Sequence, residues 1–339
     1  SYADARVVKR RRARGEQLLQ ACRRTTLFEG ADARQPHHHH RRQTTATNAH
    51  RHRANCRRHR RCAHEIHFYF PHTSLTFVCS FYSVVRAANK GIGYHIAAQL
   101  VASRLFGTVI LACRDPTRGM AAAKEAGGEY LPLTVGDPAS AEAFAASVQQ
   151  KYGRCDVLIN NAATAFKGSD PTPFHEQTQP TLDVNFRGTM QVTEALLPLL
   201  SAQPSSRIVN VASMAGKLKQ LSPALQKEFS SPELTIPKLH ELVRRFERDV
   251  RSNTYQKNGW GKSNYGLSKL AVIAATKVHS RQYPNVKVNC MCPGYCDTDM
   301  TSHRGPRPPA EGAKIATLLA TMENPPTGEF YENMRPSVW

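Results

Sequence analysis

The chain has 339 residues, 40% of them hydrophobic, enough for one large α/β domain with an appendage, or for two domains, and a sizeable core. Its net charge of +20 suggests a polyanion ligand until it is mapped: residues 1–83 hold 17 Lys/Arg against 5 Asp/Glu, and the rest of the chain carries only +8. Nine scattered cysteines, an odd number, argue against a disulfide framework and for reduced thiols in a cytoplasmic protein.

The chain opens on a basic low-complexity extension over residues 1–73. Its marks are Lys9-Arg10-Arg11-Arg12, the tract His37-His38-His39-His40 and Arg57-Arg58-His59-Arg60-Arg61, with few apolar residues between them. So little apolar surface cannot build a core, and we expect disorder. Three readings stay open: a polyanion-binding arm, a targeting segment, or sequence foreign to the domain behind it. Zinc is not expected, because Cys56, Cys62, His64 and His67 follow no standard ligand spacing. From His67 the chain turns apolar, but Pro71 and His72 break the run, which is too short and polar for a membrane span.

Residues 74–339 read as one α/β domain. The run ending at Val85 is a buried strand that enters the loop Arg86-Ala-Ala-Asn89-Lys90-Gly91-Ile92-Gly93. A helix over 94–106 and a strand over 108–114 follow. The alternation continues with helices near 117–126, 140–152 and 181–200 and strands near 130–135, 156–160 and 207–212. The interval 216–258 carries one or two helices expected to cover the mouth of a site, ahead of a helix holding Tyr265, a strand over 286–291 and a last helix near 310–321. Short apolar strands alternating with helices give a Rossmann-type doubly wound parallel sheet in a three-layer α/β/α arrangement.

In such sheets ligands sit beyond the carboxyl ends of the strands, so the residues there carry the functional reading. Gly91 and Gly93 allow a close backbone approach, and the next helix offers its N-terminus to a phosphate, although glycine turns join strands to helices in many proteins. Arg114 and Lys90 sit where a base suits a 2′-phosphate, which favours NADP(H); neighbouring Asp115 argues the other way. Asn160, Asn161 and Ala162 follow the fourth strand, and Ser213 follows the fifth, where a serine is commonly a helix cap. Tyr265 and Lys269 lie four apart on one helix face, so the ammonium is expected to lower the phenol's pKa toward a useful range, although any such pair can be mere surface neighbours. Cys290, Cys292 and Cys296 form a cluster, but strand alternation puts the first two on one face as small apolar residues.

Taken together, Asn-Lys-Gly-Ile-Gly, Arg-Asp-x-Thr-Arg-Gly, Asp-Val-Leu-Ile-Asn-Asn-Ala, Val-Asn-Phe-Arg-Gly-Thr, Ser213, Tyr-Gly-Leu-Ser-Lys and Cys-Pro-Gly-Tyr-x-x-Thr-Asp-Met resemble the short-chain dehydrogenase/reductase family, and within it the monomeric carbonyl reductases. The resemblance runs from about Val84 to Trp339 and includes the long interval between Ser213 and Tyr265. It implies NADPH-dependent reduction of aldehydes, ketones or quinones. Tyr265 would be the proton donor, Lys269 would tune the phenol and hold the nicotinamide ribose, Ser213 would bind the carbonyl oxygen, and Asn185 would anchor a water leading from the lysine. Asn89, Lys90, Gly91, Ile92, Gly93, Arg114, Asn161 and Ala162 would bind cofactor, with Pro293, Gly294 and Thr298 closing on the nicotinamide. Trp260 and Met300 are candidate substrate walls, with core packing as the plainer reading. The partner implied is a small carbonyl compound, with no metal, membrane or nucleic acid, and the insertion implies a monomer.

The chain also departs from that family. Arg86 and Ala87 stand where the glycine loop begins Thr-Gly, Thr134 where an adenine-binding aspartate is usual, and Ala163 where a glycine closes the Asn-Asn-Ala run. A bulky cation and an added Cβ at a tight turn leave a second reading, a member of the same fold impaired in cofactor binding.

Overall fold

The structure is a computed structural model that describes residues 81–203 and 205–339. The expectations placed on residues 1–73, disorder and polyanion binding among them, lie outside the described residues.

Runs of apolar and β-branched residues form β1 (Tyr82–Arg86), β2 (Thr108–Cys113), β3 (Glu129–Pro132), β4 (Val157–Asn160), β5 (Arg207–Val211) and β6 (Lys287–Met291), joined by β7 (Phe330–Glu332) and β8 (Arg335–Pro336). They make one sheet in the order β3-β2-β1-β4-β5-β6-β7-β8. All pairings are parallel except β7 with β8. The order reverses between β1 and β4, which opens a crevice at the carboxyl edge there.

The helices are α1 (Gly91–Ala102), α2 (Pro116–Ala126), α3 (Pro138–Tyr152), α4 (Phe174–Leu182), α5 (Gly188–Ser201), α6 (Pro223–Phe229), α7 (Ile236–Arg251), α8 (Asn264–Gln282) and α9 (Pro309–Thr321). Strand alternation feeds both faces. Val85, Leu111, Ile159 and Val209 bury against Ile96 and Leu100 of α1 and Ile315 and Leu319 of α9. Val84, Ile110, Leu158 and Ile208 bury against Phe144 and Val148 of α3 and Val192, Leu196 and Leu200 of α5. This is the three-layer arrangement expected, with α8 beside α5.

Helix α8 is apolar nearly all round because it is covered on two sides. Val272 and Ile273 meet Ala212, Cys290, Cys292 and Phe330 of the sheet. Leu267, Leu270, Ala271 and Ala274 meet the amphipathic α6 and α7, through Leu225, Phe229, Leu239, Val243 and Phe246. The insertion thus forms two helices, as the sequence suggests, and its apolar face is spent on the outside of α8.

Five elements differ from the sequence reading, in their bounds or by not having been anticipated. Helix α1 starts at Gly91 rather than Tyr94, because two glycines in a first turn read as loop, and it ends at Ala102 just before Arg104, whose φ is +57°. Helix α4 was hidden by its polar composition and by Pro180. Strand β3 stops at Pro132, and β7 and β8 are too short to show a period.

Candidate active site

Three segments build the carboxyl-edge site. After β5, Ser213 caps a short 3-10 turn, Met214–Gly216, accepting a hydrogen bond from the Ala215 backbone N–H at 3.1 Å. The turn can dock on α8 only because Gly216 lacks a side chain: a Cβ there would lie 2.7 Å from the Lys269 carbonyl carbon. Close backbone approach of this kind sets the distance between Ser213 and the first turns of α8. Gln220 ties the junction, its Nε2 donating to the Ala215 carbonyl at 2.7 Å and the Gly266 carbonyl at 3.3 Å.

Tyr265 is half-buried on α8, with Ser213 beside its phenol. Burial pushes its phenol up to about 12, and the Ser213 contact only partly opposes that. Lys269 is 2% exposed, donates from Nζ to the Val211 carbonyl at 2.7 Å and lies 5.7 Å from the centre of the Tyr265 ring. Burial lowers its ammonium to about 8, helped by the charge of Arg86. The expectation that Lys269 lowers the phenol is therefore corrected for this structure. The ammonium points at a backbone carbonyl, and desolvation governs the tyrosine.

Asn185 falls in a π-helical turn, Asp183–Arg187, between α4 and α5. Such a turn commonly marks a functional position, because the widened ladder re-aims a side chain. Here Asn185 is buried; its Oδ1 accepts from the Thr164 N–H at 2.7 Å, and its Nδ2 donates to the Thr164 carbonyl at 2.8 Å and to Ser268 Oγ at 3.0 Å. Ser213, Tyr265, Lys269 and Asn185 are thus brought to one edge of the sheet.

The glycine loop lies at the other side of the crevice. Gly93 lets it fold tightly, since a Cβ would meet the Ala87 carbonyl oxygen and Asn161 Nδ2 at 2.5 Å each. Asn161 braces the loop by donating to the Arg86 and Ala87 carbonyls at 3.1 and 3.4 Å. No side chain caps the start of α1, and no acid stands in its first turn, so its N–H groups can receive an anion. Arg114 is exposed at the end of β2. Asp115, which might have taken a ribose hydroxyl, instead caps α2 through the Arg118 N–H at 3.0 Å and pairs with Arg118 Nε at 2.6 Å. Lys90 pairs with Asp299 from the loop after β6, which also brings Thr298 within 3.6 Å of a Cβ built on Gly91. Pro293 and Gly294 lie in that loop, braced by Arg307, which donates to the Pro293 carbonyl at 2.9 Å. The loop, the helix start and Arg114 together fit a dinucleotide phosphate.

Arg86 and Ala87, which depart from the expected start of the glycine loop, each carry a distinct cost. Ala87 is forced to φ +51°, the left-handed region that glycine occupies freely. Arg86 ends β1 with its side chain fully buried. Ala87 is strained and Arg86 is desolvated, yet the loop keeps the cradle shape.

Trp260 is not a substrate wall. It is 4% exposed, packs between Phe229 and Phe246, and donates from Nε1 to Asp249 Oδ2 at 2.6 Å. Met300 is exposed, as a wall requires, and so are two residues that the sequence reading missed: Met214, next to Ser213, and Tyr295, next to Gly294. Their signal is position: each is a large apolar residue directly after a strand-end site residue. Cys290 and Cys292 pack on one face as expected, and Cys292 Sγ also accepts from the Met214 N–H at 3.3 Å. Among the described residues no group of three His, Cys, Asp or Glu could hold a metal ion.

A doubly wound parallel sheet with a glycine loop on one side of its switch crevice and a tyrosine–lysine helix on the other defines a Rossmann-type oxidoreductase. The chain belongs to the short-chain dehydrogenase family, whose profile, described as short chain dehydrogenase, matches residues 83–224 and 249–308. It is 38% identical over 274 residues to carbonyl reductase (NADPH) 1 of Homo sapiens, an alignment spanning 76% of this chain and 98% of that one. Carbonyl reductase (NADPH) 3 of Rattus norvegicus is 35% identical over 277 residues, spanning 77% and 99%. Among solved structures, salutaridine reductase from Papaver somniferum superposes with a TM-score of 0.69 at 29% identity, covering 74% of this chain and 99% of that one.

Proposed function

We propose that the protein reduces the carbonyl group of aldehydes, ketones or quinones using NADPH, as an oxidoreductase acting on CH–OH groups with NADP. The observation that carries this reading is the convergence of Ser213, Tyr265, Lys269 and Asn185 at the carboxyl edge, opposite a glycine loop and an Arg114 suited to a 2′-phosphate. The identity to NADPH carbonyl reductases supports it.

Bound NADPH supplies hydride to the carbonyl carbon. The chain's own part is to receive the negative charge that develops on the oxygen. A phenol raised to about 12 by burial stays protonated until an oxyanion forms beside it, which suits a general acid. Ser213 Oγ, fixed by the 3-10 turn, is the second donor to that oxygen. Lys269, lowered to about 8, holds a mobile proton near neutral pH and can restore the phenol. Asn185, pinned to Thr164 and Ser268, fixes the floor behind the lysine. Asn89, Gly91, Ile92, Gly93, Asn161 and Ala162 would hold the pyrophosphate and adenosine side; Pro293, Gly294 and Thr298 would hold the nicotinamide side, with Met214, Tyr295 and Met300 facing the substrate. Lys90 would have to leave Asp299 to reach a 2′-phosphate, so Arg114 carries most of that role.

We also read the protein as a cytoplasmic monomer. The five described cysteines are all buried and unpaired, no described helix is long and apolar enough to cross a membrane, and α6 and α7 cover α8 where a partner chain could otherwise dock. The test is NADPH oxidation by the full chain over a small panel of aldehydes, ketones and quinones. Turnover of at least one class is expected, and none across the panel would sink the reading.

A further inference from the structure

Arg86 is the largest fully buried side chain outside the apolar core, and no carboxylate faces it. Its Nη1 donates to Asn160 Oδ1 at 2.5 Å and to Thr189 Oγ1 at 3.3 Å, while Nε and Nη2 find no hydrogen-bond partner among the described residues. A buried guanidinium left half-satisfied is costly, by several kcal/mol for an unpaired ion, so its surroundings show where its charge acts.

Those surroundings branch in two directions, and both branches pass beside Lys269. On one side Thr189 Oγ1 donates to the Asn185 carbonyl at 2.8 Å, and Asn185 Nδ2 donates to Ser268 Oγ at 3.0 Å, one residue from Lys269. On the other, Asn160 Nδ2 donates to Asn210 Oδ1 at 2.8 Å, and the next residue, Val211, accepts the Lys269 ammonium at 2.7 Å. Two buried cations therefore lie under the catalytic edge, and the hydrogen bonds spreading from Arg86 reach the residue before Lys269 and the residue before its carbonyl partner Val211, before running on to the Tyr265 carbonyl and to Thr276 Oγ1. Cofactor phosphates belong at the glycine loop and the start of α1, on the sheet face that Val85 shares, whereas Arg86 follows Val84 onto the opposite face.

We propose that Arg86 is a positioning residue for carbonyl reduction: from the floor of the site it disfavours a proton on Lys269, and so lowers the pH at which the reaction loses its proton supply. The kinetic part of the proposal rests on the reductase reading above.

The ionisable groups facing Lys269 can be named from each element around it. Tyr265 lies on α8 itself, Arg86 comes from the end of β1, and Cys292 comes from just past β6. The 3-10 turn after β5 presents Ser213 to Met214, Ala215 and Gly216, none ionisable in this range. The π-helical turn presents Asn185, while its Arg187 pairs with Asp183 and with Glu247 of α7. Burial and Arg86 lower the ammonium, and only Cys292 opposes them. The sign follows directly. Removing the guanidinium takes away a like charge, so the lysine holds its proton to higher pH, though still below an exposed lysine because burial remains.

The test reads Lys269 without requiring activity. In lysine-labelled full chain, the Lys269 Nζ resonance, assigned with Lys269→Met, is titrated in the wild type and in Arg86→Thr, Arg86→Met and Arg86→Lys. The midpoint should rise by about one pH unit in the Thr and Met variants and stay near the wild-type value in Arg86→Lys. The alkaline limb of kcat at saturating NADPH should move with it. An unchanged midpoint in both neutral variants overturns the proposal, and so does an equal rise in Arg86→Lys, which would assign the effect to lost hydrogen bonds. A limb that stays put while the midpoint moves overturns the role in the reaction. Should the wild type turn over no carbonyl, the reductase reading fails, and the resonance still decides whether Arg86 acts on Lys269.

Discussion

The two sides of the crevice are built to different standards. At the catalytic edge Ser213 caps a turn, Lys269 holds a carbonyl, and Asn185 spans Thr164 and Ser268. At the cofactor edge, Ala87 is held in a left-handed conformation and Lys90 is engaged by Asp299, while Arg86 leaves the same loop to lie beneath the catalytic edge with two unpartnered nitrogens. The first side is a hydrogen-bonded network, and the second carries strain in its backbone. The lesson is that a site can keep the geometry that stabilises an oxyanion while the loop that receives its cofactor drifts, because the two are held by different elements.

The largest effect should come from the catalytic edge. Tyr265→Phe removes the proton donor and should lower kcat by about 10²–10⁴-fold with NADPH binding intact, as measured by fluorescence titration. Ser213→Ala should lower kcat by about 10²–10³-fold, with a small change in KM. Equal loss of cofactor binding in either variant would mean that the two edges are not separable in the way described.

A control lies outside both edges. Burial pulls the His279 imidazole from 6.5 down to about 4. Its folded pKa is below its unfolded one, so between those values the unfolded chain binds a proton that the folded chain does not, and stability falls as pH falls through that window. The loss should approach about 3 kcal/mol at most. Comparing urea midpoints at neutral and mildly acidic pH should show it in the wild type and show less of it in His279→Leu.

The smallest effect should come from relieving strain. Ala87→Gly removes a left-handed alanine, a conformation that costs about 1–2 kcal/mol, and should raise Tm while tightening NADPH binding several-fold. If it leaves both unchanged, the cofactor edge is not strained in the sense argued here.

Much of this was legible in the residues. The strand–helix alternation gave the doubly wound parallel sheet, and position directly after a strand drew attention to Gly91, Asn161 and Ser213, while Tyr265 and Lys269 stood out by their spacing on one helix. What escaped had physical reasons. The π-helical turn that aims Asn185 has no sequence period, and α4 carries Pro180 within polar residues. Trp260 looked like a pocket wall because an aromatic before a catalytic helix suits both roles; only its Asp249 hydrogen bond and the Phe229 and Phe246 contacts decide for the core. Arg86 could be flagged as misplaced, but not its destination, since the polar groups between it and Lys269 come from β1, β4, β5, α5 and α8 and meet only in the fold. The pairing of Lys90 with Asp299 likewise depends on a loop more than two hundred residues away in sequence.

The central claim is that the catalytic edge works as an acid site supplied with hydride through the altered loop. The most direct test follows NADPH consumption by the full chain with a quinone or aldehyde, with wild type and Tyr265→Phe measured side by side and the alcohol or hydroquinone product quantified. The account predicts one product per NADPH oxidised in the wild type and no enzymatic turnover in the variant. Equal rates in the two proteins, or a wild type that neither binds nor oxidises NADPH, would contradict it.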